Sequence, residues 1–136
     1  MSLEANKALV RQYVELWETG NLALAEQILA ADFMDQAHPE WSPGPEGIKQ
    51  DVLAFRAAFS DVKITVEHVL SEQDMVAFSF SMRGTHQGVF AGLPPTGKEI
   101  VLIGADFLRI ADGKIAELWS YQDTLSWVKQ LGLTVQ

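Results

Sequence analysis

Apolar residues recur along this chain at helical spacing up to about residue 59 and at every second position from Asp61 onward. Leu9, Tyr13, Leu16 and Trp17, flanked by Val10 and Val14, predict a first helix over residues 3–19 with one apolar face. Gly20 stops it, and Asn21 can cap a second helix carrying Leu22, Leu24, Ala25, Ile28 and Leu29. Asp32 to Gln36 reads as a short strand, and Pro39, Pro43, Gly44 and Pro45 enforce an irregular loop after it. A third helix opens near Pro45-Glu46, with Ile48, Val52, Phe55 and Phe59 as its buried stripe. In the second half, Val62, Ile64 and Val66 mark one strand, and Val76, Phe78, Phe80 and Met82 another, with a turn at residues 71–74 between them. From Arg83 to Lys98, four glycines and the Pro94-Pro95 pair predict a long, bent hairpin connection. Ile100 to Ile110 is almost wholly apolar, which implies a strand covered on both faces. Ala111-Asp112-Gly113-Lys114 is a tight-turn signal. Ile115, Glu117, Trp119, Tyr121 and Asp123 then share one face of a last strand. A closing helix carries Leu125, Val128 and Leu131 and ends at Gly132. Helices segregated from a meander of strands make the expected class α+β.

Composition narrows the partners more than the chemistry. A chain of 136 residues is expected to form one domain with a proper core. The net charge of −8, with no basic stripe, argues against nucleic acid and anionic membranes as partners. The absence of cysteine excludes disulfides, thiol nucleophiles and thiolate metal sites. No signal-peptide pattern stands at the N-terminus, and no apolar run nears the ~20 residues needed to cross a bilayer, so a cytoplasmic location is expected. The two-faced Ile100–Ile110 strand needs cover on its outer side, which predicts a homodimer packed through the sheets. His38, His86 and His68 form no recognised metal spacing with Asp35, so no metal or other cofactor is expected.

Several motifs recur in a recognisable order: Gly20-Asn21-Leu22, Gly44-Pro45-Glu46-Gly47, Gly84-Thr85-His86 with Gly88 and Phe90, Pro94-Pro95-Thr96-Gly97-Lys98, Asp112-Gly113-Lys114-Ile115 through Glu117 and Trp119, and Gln130-Leu131-Gly132. Together they resemble the SnoaL-like polyketide cyclase (ester cyclase) family from about Asn6 to Gly132. That resemblance implies a cone-shaped nuclear-transport-factor-2-like fold: three N-terminal helices packed in a curved, mostly antiparallel sheet, a short C-terminal helix, and a pocket between them. It also implies cofactor-free chemistry on a small apolar carbonyl compound, in which an acidic residue removes a proton beside a carbonyl and the enolate closes a ring. Two other readings remain open: a different acid/base enzyme on the same fold, such as an isomerase, dehydratase or epoxide hydrolase, or a binding protein without chemistry.

The candidate catalytic residues are Asp123, His86 and Asp35. Asp123 matches the family's acidic residue, yet Asp123-Thr124-Leu125-Ser126 is also a good helix cap. His86 has the parity of the inward-facing set, and a histidine at a hairpin mouth can equally serve only the backbone. At Asp35-Gln36 the family commonly shows Asp-His; glutamine can hold a carbonyl but cannot shuttle a proton, which transfers that role to His38 or His86. His38 itself reads as an exposed loop residue. Candidate substrate contacts are Tyr13, Trp17, Gln36, Phe59, Asp106, Trp119 and Tyr121. Asp106 stands in an apolar strand, so it must be partnered or face a cavity. For Tyr13 and the other aromatic residues, core packing is the competing role.

Overall fold

The computed structural model describes residues 2–133. Helix α1 spans Leu3–Thr19, α2 Ala23–Ile28 and α3 Glu46–Ala58; strand β1 spans Leu29–Asp35, β2 Lys63–Glu72, β3 Met75–Thr85, β4 Glu99–Ala111 and β5 Lys114–Gln122; α4 closes the order with Thr124–Gln130. α1 begins where the Ser2 hydroxyl accepts from the Ala5 N–H. It ends at Gly20, whose φ of 71° suits a residue without a β-carbon and lets its N–H cap the Leu16 carbonyl. The strand β1 starts at Leu29, three residues earlier than the alternation suggests, because Leu29 packs inward and pairs with Ile115.

The five strands form one sheet in the order β1-β5-β4-β3-β2. The β2–β3, β3–β4 and β4–β5 pairs are antiparallel, whereas β1 runs parallel to β5. Val10, Leu16, Ile48 and Val52 of the helices pack against Val76, Phe78, Leu108 and Ile115 of the sheet, a core cluster from which water is excluded. A second, smaller cluster gathers Phe55, Phe59, Val62, Ile100 and Leu131 around the C-terminal end of α3. Among the described residues no helix is long and apolar enough to cross a membrane.

Two bulges decide which side chains meet the helices. Between β4 and β5 the register jumps from Ile110–Ile115 to Arg109–Glu117, so two residues of β5, Ile115 and Ala116, are both buried. Past that extra residue the parity is inverted: Leu118, Ser120 and Gln122 face inward, and Glu117, Trp119 and Tyr121 face out. A second shift between Val66 and His68 bends β2 in the same manner. The connection from β3 to β4 is the long hairpin expected, held by Asp61, whose carboxylate accepts from the Thr85 N–H and hydroxyl at 2.8 Å each. It passes so near α3 that a β-carbon on Gly88 would lie 2.2 Å from the Ala57 carbonyl oxygen.

Candidate active site

Between the helices and the inner face of the sheet lies a cavity of about 390 Å³. Tyr13 and Trp17 of α1 and Phe55 of α3 form one wall, with Tyr13 and Trp17 edge-on at 6.5 Å and Trp17 and Phe55 at 5.7 Å. Each pair follows helical spacing or helix contact, so the aromatic wall is fixed by the packing of α1 on α3. Phe78 and Phe80 of β3 form the floor, and Phe90 of the hairpin and Trp127 of α4 close the far end, 5.0 Å apart. Gly104 leaves the floor its shape: a β-carbon there would come within 2.8 Å of the Phe80 ring.

Three carboxylates enter this cavity. Asp106 stands on the inner face of β4, directly paired with Phe78 on one side and Ser120 on the other. It is only 5% exposed, and its Oδ1 accepts from the Ser120 hydroxyl at 2.6 Å. Burial pushes its carboxyl up to about 7; the Ser120 hydrogen bond opposes that rise and the charge of Asp35 adds to it. Asp35, at the end of β1, is 7% exposed and uses Oδ1 to accept from the Ala37 N–H at 2.9 Å. Burial raises its pKa too, against the Ala37 N–H and the imidazole of His38. Asp51 of α3 is half-buried, and burial raises it as well, with His38 lowering and Asp35 raising. Lysine and arginine are missing from the lining among the described residues, and the one basic side chain there is His38. Tyr13 is 5% exposed, and burial, then the charge of Asp106, hold its pKa well above the ordinary value. Its hydroxyl therefore stays a donor.

Of the residues singled out in the sequence, Tyr13, Trp17, Asp35 and Asp106 meet in this cavity. His86 is fully buried as its parity required, but beside the cavity rather than in it: its ring stacks on Phe59 at 5.4 Å. The Thr96 N–H donates to its Nδ1 at 3.2 Å, which puts the ring proton on Nε2, buried without a partner. Phe59 belongs to this second cluster, stacked on Phe55. Trp119 and Tyr121 lie on the outer face because the bulge at Ala116 inverts the strand's parity; Tyr121 packs edge-on against Phe107 there. Gln36 is also outside, donating to Glu117, which in turn accepts from Arg109 Nε at 2.9 Å. Asp123 is exposed and caps α4, its Oδ1 accepting from the Ser126 N–H at 3.1 Å. His38 departs from its expected loop exposure: it stacks face-on upon Trp41 at 3.9 Å and lines the cavity.

Asp51 and Ser120 were not singled out in the sequence, although each left a signal. Asp51 lies three residues after Ile48 and four before Phe55, on the face that those two bury. Ser120 is visible only once the bulge fixes which side of β5 turns inward.

The family model for SnoaL-like polyketide cyclases matches residues 7–131. The chain belongs to this family. Among curated members, the aklanonic acid methyl ester cyclase DnrD of Streptomyces peucetius is 29% identical over 129 residues, covering 91% of this chain and 88% of the relative. The nogalonic acid methyl ester cyclase of Streptomyces nogalater is 28% identical over 123 residues, covering 88% of this chain and 91% of the relative. Wild-type IdmH from Streptomyces antibioticus superposes with a TM-score of 0.79 at 28% identity, over 93% of this chain and 98% of IdmH. The structure of TsrD from Streptomyces laurentii shares the fold with a TM-score of 0.92, covering 98% of this chain and 99% of TsrD, at 20% identity.

Proposed function

We propose that this SnoaL-like protein catalyses cofactor-free aldol-type ring closure of a small carbonyl compound, with Asp106 as the general base. The observation that carries the reading is a buried carboxyl with a pKa of about 7, open to a cavity of substrate size. A base works best when its pKa lies near the working pH, where it is both ionised and able to accept a proton; positioned proton transfer is typically worth ~10²–10⁴-fold. Asp106 takes the proton from the carbon beside the carbonyl, and the C–H electron pair becomes the enolate. Tyr13 donates its hydroxyl proton in a hydrogen bond to the oxygen on which that charge grows. The enolate carbon forms the new C–C bond to a second carbonyl, whose π pair becomes an alkoxide, and the protonated Asp106 returns the proton to it. The sequence pointed to Asp123 for the base; its exposure and capping bond favour Asp106 instead.

The test is deuterium exchange at the carbon beside the carbonyl of tetralone, a small aromatic ketone, followed by NMR in heavy water. Exchange should be accelerated by the protein and lost in Asp106→Asn. Exchange equal in the two proteins overturns Asp106 as the base, and no acceleration by either favours a binding protein over a catalyst.

The outer face of the sheet supports the homodimer as its second part. Ile103, Phe107 and Tyr121 are 57%, 41% and 60% exposed on it, neighbours across β4 and β5. A second copy is the cover this reading assigns to them.

A further inference from the structure

Past the bulge at Ala116, the inner face of β5 presents two polar side chains in succession, Ser120 and Gln122. Ser120 is opposed on β4 by Asp106, and Gln122 by Gly104. The pairing with glycine has a steric reason. A β-carbon on Gly104 would stand 3.2 Å from Gln122 Cγ and 2.8 Å from Phe80 Cζ, so the stem of Gln122 and the Phe80 ring occupy the space a side chain would need there. Lying against Gly104, Gln122 turns its amide back along β5, and Nε2 donates to the Ser120 hydroxyl oxygen at 3.3 Å.

These two contacts give the hydrogen bonds a direction. An amide N–H only donates, so the Ser120 oxygen is its acceptor and the one hydroxyl proton is left for Asp106 Oδ1, at 2.6 Å. Oδ1 is thereby occupied, whereas Oδ2 accepts no hydrogen bond among the described residues and belongs to the cavity. A serine hydroxyl with nothing donating to its oxygen turns among its staggered positions and can give its proton elsewhere. One held from behind keeps its direction, and donors in series polarise one another. Gln122 is exposed at the rim of the cavity and Asp106 is buried, so the chain of donors runs from the rim to the base.

We propose that Gln122 is a positioning residue: it holds the Ser120 hydroxyl as a donor to Asp106 Oδ1 and so leaves Oδ2 turned to the substrate. The benefit to the reaction rests on the reading of Asp106 as the base. The effect on the Asp106 carboxyl does not, and it can be measured without substrate. The other titratable groups that share the cavity with Asp106 are Tyr13 of α1, Asp35 at the end of β1, His38 just beyond it and Asp51 of α3. Among the described residues, β2, β3, the hairpin and α4 bring none to it. Substitutions at positions 120 and 122 leave all four of these groups in place.

The experiment is carbon NMR titration of the Asp106 carboxyl in four full-length proteins: the parent, Gln122→Met, Ser120→Ala and the double variant. Methionine keeps the length of the side chain and removes the donor, and the exposure of Gln122 favours a folded variant. Gln122→Met should raise the Asp106 midpoint by ~0.3–1 pH unit, because the ionised carboxylate loses part of the hydrogen bond that favours it. In the Ser120→Ala background the same substitution should add nothing, since the hydroxyl through which Gln122 acts is gone. An unmoved midpoint in Gln122→Met overturns the proposal. So does an equal rise in both backgrounds, which would mean that Gln122 acts on Asp106 without Ser120. Ketone exchange in the same four proteins separates this claim from the catalytic reading. A midpoint that moves as expected while the pH–rate profile stays fixed supports the positioning of Asp106 and overturns Asp106 as the base. A profile that follows the Asp106 midpoint in Ser120→Ala, with no shift of either in Gln122→Met, does the reverse.

Discussion

The Ser120 hydroxyl donates to Asp106 Oδ1 at 2.6 Å between two residues directly opposed on β5 and β4. That bond favours the ionised carboxylate and opposes the burial that raises its pKa. Removing it in Ser120→Ala leaves burial unopposed, so the Asp106 pKa should rise above its present value of about 7. The midpoint of the pH–rate profile for ketone exchange should move to higher pH, with the plateau rate reduced less than the rate at neutral pH. An unmoved midpoint would show that the titrating group is not Asp106.

Asp106 also costs stability. Its folded pKa lies above the ordinary carboxylate value, so the folded state holds its proton where the unfolded chain has lost it. Its contribution is therefore full below the unfolded pKa of ~4 and declines as pH rises toward about 7, after which it is constant. Asp35 and Asp51 are raised as well and add in the same direction. Asp106→Asn keeps an acceptor for Ser120 and removes the titration. Urea unfolding should find it more stable than the parent above neutral pH, on the order of 1–3 kcal/mol, and close to it at pH ~4. Equal gains at both pH values would contradict the burial argument.

At Asp123 the cap makes a different prediction. Asp123→Asn retains an oxygen for the Ser126 N–H and should leave both stability and ketone exchange nearly unchanged. Asp123→Ala removes the cap and should cost ~1 kcal/mol in thermal or urea unfolding, again without a specific loss of exchange. Loss of exchange in Asp123→Asn at unchanged stability would return the base to Asp123.

The outer face is tested by charge. Phe107→Glu places a carboxylate beside Tyr121, whose ring now lies 6.1 Å from that of Phe107. In a dimer packed through the sheets, sedimentation should show the parent as a dimer and the variant shifted to monomer. A parent that sediments as a monomer at micromolar concentration removes the dimer.

Much of this fold was legible because single-face periodicity is a direct record of burial. The stripes Leu9–Tyr13–Leu16 and Ile48–Val52–Phe55 are buried as their spacing requires, and the hairpin between β3 and β4 falls on its glycines and prolines. The site was less legible for two physical reasons. A bulge has no strong sequence mark, and the one at Ala116 exchanges Trp119 and Tyr121 for Leu118, Ser120 and Gln122 on the inner face. Large aromatics drew attention toward the wrong side of β5, whereas the side chain that meets Asp106 is a serine. The second reason is that loop geometry decides His38: its stacking on Trp41 brings it to the cavity through a segment with no periodicity. Asp106 stood out from sequence as a lone carboxylate in an apolar strand, and its environment accounts for that prominence.

The most direct measurement is the carbon NMR titration of the aspartate carboxyl groups, with Asp106 assigned by its loss in Asp106→Asn. The account predicts a midpoint for Asp106 of about 7. A midpoint near the ordinary value of ~4 would contradict the base at the centre of this account.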